Sequence, residues 1–168
     1  TALKLAHKWA YQIKGVPEGR AKIIFVEGNF WGRTLAAISA STDPSSFNNY
    51  GPYMPGFEII PYNDIPALEK ALQDPNVAAF MVEPIQGEAG VFVPDEAYLP
   101  TAFKLCRERN VLFIADEVQT GIARTGKLLP TGNTIDIIDG VPVTDAKAAV
   151  AEGQVYHLRL DPPVALET

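Results

Sequence analysis

One cysteine, Cys106, is all the thiol chemistry this sequence holds, so no internal disulfide can form. Its place in the helical stretch Ala102 to Arg109 reads as a buried structural thiol, and a reducing compartment fits it best. Positive charge is also short: 14 Lys and Arg stand against 20 Asp and Glu, a net charge of −6. That balance leaves no basic tract for a phosphate backbone and argues against nucleic acid as a partner. No apolar run approaches the roughly 20 residues a membrane-spanning helix needs, and the opening Thr1-Ala2-Leu3-Lys4 is not a signal peptide. Nor is there a start methionine, or an N-cap ahead of the first helical pattern, so the sequence opens as a fragment opens. Internal repeats, low-complexity tracts and metal sites are not expected.

What is present is a core. Hydrophobic residues make up 47% of 168 positions, enough for one globular domain. Ala2, Leu5, Ala6, Trp9, Ala10 and Ile13 recur at helical spacing up to Gly15, which predicts an amphipathic helix. Short apolar runs then alternate with helical stretches. The strands are expected at Ile23 to Val26, Phe57 to Ile60, Val77 to Val82 and Val111 to Ala115. Helices are expected after Arg33, from a cap at Asp64 through Leu72, and from Tyr98 to Arg109. Continuous apolar runs separated by helices are the pattern of buried parallel strands, so the fold class is α/β with helices on both faces of the sheet. Ser41 to Pro55, rich in Ser, Asn, Gly and Pro, reads as a long surface loop of the kind that borders ligand sites. After Leu129 the pattern breaks at Pro130-Thr131-Gly132-Asn133. Val141 to Val143 and Val155 to Leu160 could be strands, with a short helix from Asp145 to Glu152 between them, in a tail that does not continue the preceding pattern.

Two of the expected strands run into carboxylates, Glu83-Pro84 and Asp116-Glu117, and each continues into a glycine-containing loop, Gln86 to Gly90 and Gln119 to Gly121. In a parallel sheet the carboxyl ends of the strands share one edge, where ligands bind. Strands often end in polar residues for no functional reason, so the spacing suggests a site without naming its ligand. A third element follows the strand at Ile23 to Val26: Gly28-Asn29-Phe30-Trp31-Gly32-Arg33-Thr34. It offers an aromatic face for a heteroaromatic ring and a guanidinium for a carboxylate or phosphate, although aromatics after a strand are more often core.

These segments, together with Ser41 to Pro44, Gly51 to Phe57, Phe80 to Gly90, Asp116 to Gly121 and Arg124-Thr125-Gly126, resemble the class III pyridoxal-phosphate-dependent aminotransferases in motif and order. The resemblance covers roughly residues 1 to 129, which it makes part of the cofactor-binding large domain, and leaves 130 to 168 as a tail unlike the family. Many members carry His after the aromatic. Trp31, with Pro61-Tyr62-Asn63-Asp64, is instead similar to the branch that moves the δ-amino group of ornithine to 2-oxoglutarate. Transaminases acting on acetylornithine or 4-aminobutyrate are the alternatives within the family, and a non-catalytic interaction module is the alternative outside it.

Carried over by residue, the resemblance implies pyridoxal 5′-phosphate as cofactor. Asp116 would pair with the protonated pyridine nitrogen, Phe30 and Val118 would cover the two ring faces, and Gln119 would lie near the phenolic oxygen. Arg33 would bind a substrate carboxylate, Trp31 would shape the substrate pocket, Glu83 would lie near the ring, and Glu88 would act as an acidic gate. Glu117 and Arg124 take structural roles. The family's Schiff-base lysine, in a Gly-Lys pair about thirty residues past the Asp, has no counterpart: Lys127 comes too early, and Lys147 sits between Ala146 and Ala148 and reads as a surface lysine. The resemblance further implies homo-oligomers, small amino-acid and oxo-acid substrates, and a mitochondrial-matrix or cytoplasmic location.

Overall fold

The computed structural model describes residues 1–126, 131, 136–138, 141–143 and 156–159. In chain order its elements are α1 (Ala2–Trp9), a π-helical turn (Ala10–Lys14), β1 (Lys22–Val26), α2 (Leu35–Ile38), α3 (Pro44–Phe47), β2 (Phe57–Ile60) and α4 (Ile65–Ala71). There follow β3 (Val77–Val82), α5 (Tyr98–Glu108), β4 (Leu112–Ala115), β5 (Asp136–Ile138), β6 (Val141–Val143) and β7 (Tyr156–Arg159).

The strands join one sheet in the order β2-β1-β3-β4-β7-β5-β6. The first four pair in parallel, as their unbroken apolar sequences require, because such strands bury both faces. Alternate residues divide between two cores. Ile23, Phe25, Ala79, Met81, Leu112 and Ile114 pack with Ala2, Ala6 and Ala10 of the first helix. Ile24, Val26, Phe80, Val82, Phe113 and Ala115 pack with Leu68 of α4 and with Tyr98, Ala102 and Cys106 of α5. Each large side chain so buried contributes on the order of 1.5–3 kcal/mol. Helices therefore cover both faces, and the Cys106 thiol is buried and free.

Local chemistry sets the element boundaries. Asp64 caps α4 by accepting a hydrogen bond from the Ala67 N–H at 2.8 Å, and Thr34 caps α2 through Ala37 N–H at 3.3 Å. The expected long loop at Ser41 to Pro55 contains the single helical turn α3, with Asp43 as its cap on the Ser45 N–H. The first helix departs from its predicted stripe. A π-helical turn follows Trp9, and Val16 N–H bonds to Ala10 C=O. That wider turn rotates Ile13 off the apolar face and leaves it 60% exposed.

Both strands expected in the tail are found as β6 and β7, and β5 joins them; the helix expected from Asp145 to Glu152 lies outside the described residues. β7 runs antiparallel to β4, with Phe113 opposite Arg159, Ile114 opposite Leu158 and Ala115 opposite His157. β5 pairs antiparallel with both β7 and β6, so the tail extends the same sheet with strands of alternating sense.

Candidate active site

Parallel strands bring β1, β3 and β4 to one carboxyl edge, and the segments that leave them converge there. Val82 pairs with Ala115 in the ladder, so the next residues, Glu83 and Asp116, follow at neighbouring positions. Asp116 N–H bonds to Val82 C=O at 2.9 Å, which continues the ladder one step past the strands. Both carboxylates are withdrawn from water, at 6% and 7% exposure. Bringing two buried acids together costs free energy unless one holds a proton or a cation joins them.

Glu83 shows that cost. Its carboxyl is pushed up to about 7, first by burial and also by the neighbouring charges of Asp116 and Glu88, while the backbone N–H groups of Phe30 and Gly87 oppose the rise. Phe30 N–H donates to Glu83 Oε1 at 2.8 Å. Asp116 Oδ1 accepts from Val118 N–H at 3.2 Å, which turns the chain so that the Val118 side chain stands 54% exposed just past the carboxylate.

The loops after β3 and β4 also meet. Gln119 Nε2 donates to Glu88 Oε1 at 3.2 Å. A Cβ on Gly87 would lie 1.9 Å from Gln119 Oε1, so glycine is what allows this approach. Glu88, Val118 and Gln119 are all exposed. Among the residues expected at a site, the edge thus gathers Phe30 (through its N–H), Glu83, Glu88, Asp116, Val118 and Gln119.

Trp31 and Arg33 sit differently. The Trp31 ring stacks on Phe25 at 5.2 Å and 15° and meets Phe57 edge-on at 6.3 Å, so it closes the core on the α1 side of the sheet. Its indole Nε1 is buried without a partner among the described residues. Arg33 is exposed just before the cap of α2. Of the two residues given structural roles, Glu117 is buried and receives hydrogen bonds from Thr120 Oγ1 and from both the N–H and hydroxyl of Thr131. Arg124 is exposed.

Sequence reasoning passed over several residues that shape this edge. Tyr62 donates its hydroxyl to the carbonyls of Glu83 and Pro84, at 3.1 and 3.2 Å. Thr42 Oγ1 accepts from Gly28 N–H at 2.9 Å. Gln86, 2% exposed, donates Nε2 to Glu27 C=O at 2.7 Å. Their only signal was a position inside or beside a motif, since none carries a charge. Lysines are placed elsewhere among the described residues: in α1, the π-helical turn, the start of β1, α4 and α5. No group of three or more His, Cys, Asp or Glu able to hold a metal occurs among the described residues. A cleft lined by Lys8, Tyr11, Gln12, Val16 and Glu18 includes none of the edge residues.

The model of the class-III aminotransferase family matches residues 1–143. The chain belongs to the class-III aminotransferase family. Rat mitochondrial ornithine aminotransferase is 67% identical over 129 residues, which make up 77% of this chain and 29% of that protein. The solved structure of a Toxoplasma gondii ornithine aminotransferase, which holds pyridoxal phosphate at partial occupancy in its active site, superposes with a TM-score of 0.76 at 59% identity, covering 76% of this chain and 30% of that one. An acetylornithine aminotransferase from Elizabethkingia anophelis gives 0.60 at 52% identity, over 76% of this chain and 27% of that one. This class-III chain thus spans about 30% of the length of the relatives it matches. Among its described residues no helix is long and apolar enough to cross a membrane.

Proposed function

We propose that this chain carries the strand-edge portion of an ornithine aminotransferase site, which transfers the δ-amino group of ornithine to 2-oxoglutarate by way of pyridoxal 5′-phosphate. The observation that carries the reading is the buried Asp116 carboxylate beside exposed Val118 at the end of β4, in a chain 67% identical to rat ornithine aminotransferase over 129 residues.

These residues fit the ring end of that cofactor. A desolvated carboxylate with an apolar surface next to it suits a flat cation better than water does. Bound there, pyridoxal phosphate supplies an electron sink for the pair released when a C–H bond beside the amine is broken. The protein's part is to keep the ring cationic and oriented. Asp116 would hold the proton on the pyridine nitrogen, and Val118 and Phe30 would cover the two ring faces. Gln119 hydrogen-bonds near the phenolic oxygen, which requires it to share or release its bond to Glu88. Glu83 sits beside Asp116 and can give up or take a proton near neutral pH. Arg33, on the surface, takes the substrate carboxylate in a paired contact. Trp31 shapes the pocket from behind, through the wall that its ring forms with Phe25 and Phe57. Glu88, tied to Gln119, is the acidic gate that changes partner between the two substrates.

The reading extends to the rest of the protein. Residues 1–129 form part of the cofactor-binding domain and 130–168 a tail that follows it, a division supported by pairwise matches of 129 residues, while the family match runs on to residue 143. Full-length counterparts are homo-oligomers, to which exposed Val91, Phe92 and Val93 would contribute an apolar surface. The location is the mitochondrial matrix or the cytoplasm, as the rat relative's mitochondrial name suggests. Little or no turnover is expected of the 168-residue chain alone, because Lys127 comes too early in sequence for the Schiff-base lysine and Lys147 stands between Ala146 and Ala148; both lie outside the described residues. The likeness to an acetylornithine aminotransferase at 52% identity supports acetylornithine as the second choice of donor.

Pyridoxamine 5′-phosphate tests the ring site without needing a lysine, because it makes no covalent bond to the protein. Its fluorescence, titrated with the chain, should report saturable binding that weakens at least about tenfold, or ~1.4 kcal/mol, in Asp116→Ala. Equal binding by both proteins, or none by the unaltered chain, sinks the reading.

A further inference from the structure

We propose that Gln86 is a positioning residue for Glu83: its buried side chain and its backbone together hold in place both N–H groups that face the Glu83 carboxylate. As a statement about catalysis this rests on the site proposed above; as a statement about geometry it stands alone.

Phe30 N–H reaches Glu83 Oε1 at 2.8 Å from the turn after β1, and Gly87 N–H faces the same carboxylate from Glu83's own loop. Gln86 touches both supports. Its amide Nε2 donates to Glu27 C=O at 2.7 Å, the residue that leads into the turn. The next residue, Gly28, has φ +74°, and a Cβ there would meet Gln86 Oε1 at 3.0 Å and Nε2 at 3.3 Å, so the turn lies directly on the Gln86 amide. The outer side of the turn is tied by Gly28 N–H to Thr42 Oγ1 and by Asn29 Nδ2 to the carbonyls of Val26 and Ala40. On the loop side, Gln86 N–H and C=O exchange hydrogen bonds with Phe92 at 3.0 and 2.9 Å. That small antiparallel bridge fixes the peptide from which Gly87 N–H projects.

A buried amide with this many fixed contacts does more than fill space. Loss of its donor leaves Glu27 C=O without that bond and frees the turn to shift, and a few tenths of an ångström are enough to weaken a 2.8 Å bond to a carboxylate. Among the described residues the groups that face Glu83 are Asp116 and Glu88, both acidic, and the Tyr62 hydroxyl, bound to the Glu83 carbonyl. None is a cation that could replace the lost N–H groups. The carboxylate form of Glu83 therefore depends on what Gln86 holds.

The test uses the full chain without cofactor. Gln86→Met keeps the volume and removes the donor. Carbon-13 NMR of the glutamate carboxyls should show the Glu83 titration midpoint about one pH unit higher in Gln86→Met, a roughly tenfold tighter hold on the proton. The Phe30 amide should exchange with solvent at least about tenfold faster. Leu68→Ala, in the core beneath α4, should change neither. An unchanged Glu83 midpoint in folded Gln86→Met overturns the proposal, and so does an equal shift in Leu68→Ala, which would mean general loosening. If Gln86→Met does not fold, the unaltered chain decides: side-chain NH2 protons of Gln86 exchanging at the free-amide rate would overturn the proposal, and slow exchange would support it. Pyridoxamine phosphate enters none of these measurements, so failure here and failure of the cofactor site are separate results.

Discussion

Glu83 and Asp116 share one edge, and only one of them can be charged there at low cost. The Glu83 carboxyl, ordinarily at 4.5, is raised to about 7 by burial first and then by its acidic neighbours. The folded chain thus binds a proton at Glu83 more readily than the unfolded chain does. Between about 4.5 and 7 the native state carries more protons, so Glu83's contribution to stability falls as pH rises through that window and is level above it. Replacing Glu83 with Gln keeps an oxygen for Phe30 N–H and gives Asp116 an amide neighbour in place of a charge. Urea unfolding should therefore find Glu83→Gln more stable than the parent at pH 8, by up to about 3 kcal/mol, with the difference nearly gone at pH 4.5. A deficit of the same size at both pH values would show that the carboxylate is not under strain. Arg33 is the opposite case. Being exposed and outside both cores, it should tolerate Ala within about 0.5 kcal/mol of stability, while glutamate binding to the cofactor-loaded protein weakens several-fold. Lost stability with unchanged glutamate binding would make it structural.

At the scale of loops and strands, two glycines separate strain from flexibility. Gly87 would place a Cβ on Gln119 Oε1 at 1.9 Å, but that atom ends an exposed side chain able to swing away. Gly28 has φ +74°, and its Cβ would meet the buried Gln86 amide and the Ala89 Cβ at 3.2 Å. Gly87→Ala should cost under about 1 kcal/mol while breaking the Gln119–Glu88 bond. Gly28→Ala should cost about 1–3 kcal/mol. Parallel urea curves check the ranking, and a larger loss at Gly87 would mean that Gln119 is rigidly held. The same scale shows what could be read from sequence. β3 and β4 were legible because a two-sided buried strand has only apolar residues, and Glu83 and Asp116 because charge ends such a run. The exposure of Ile13 was not, because a π-helical turn changes the angular period without any residue that announces it. Gln86 stayed hidden for a related reason: an uncharged amide shows its importance only when its partners, Glu27 and Phe92, are brought beside it. Trp31 was legible as an aromatic in a motif, but its placement against Phe25 and Phe57 depended on how β1 and β2 pair.

For the whole molecule, the decisive contact is the one between β4 and β7. β4 carries Asp116 at its end and pairs with β3 on one side, and on the other side its hydrogen-bonding edge is covered by antiparallel β7. A strand with one bare edge invites pairing with other chains. The tail therefore has a structural task even though the family resemblance was carried by residues before it: it closes the sheet next to the candidate site. A chain ending at residue 129 should keep every described member of the two cores, of which Ala115 is the last in sequence, yet lose amide protection in β4 on the side that faced β7. It should also self-associate at micromolar concentration. Hydrogen exchange of Leu112 to Ala115, with sedimentation of both chains, tests this. Unchanged protection and a monomeric shortened chain would mean that β7 does not cover the edge in solution. Protection lost without association would mean that it does, and that the bare edge is tolerated.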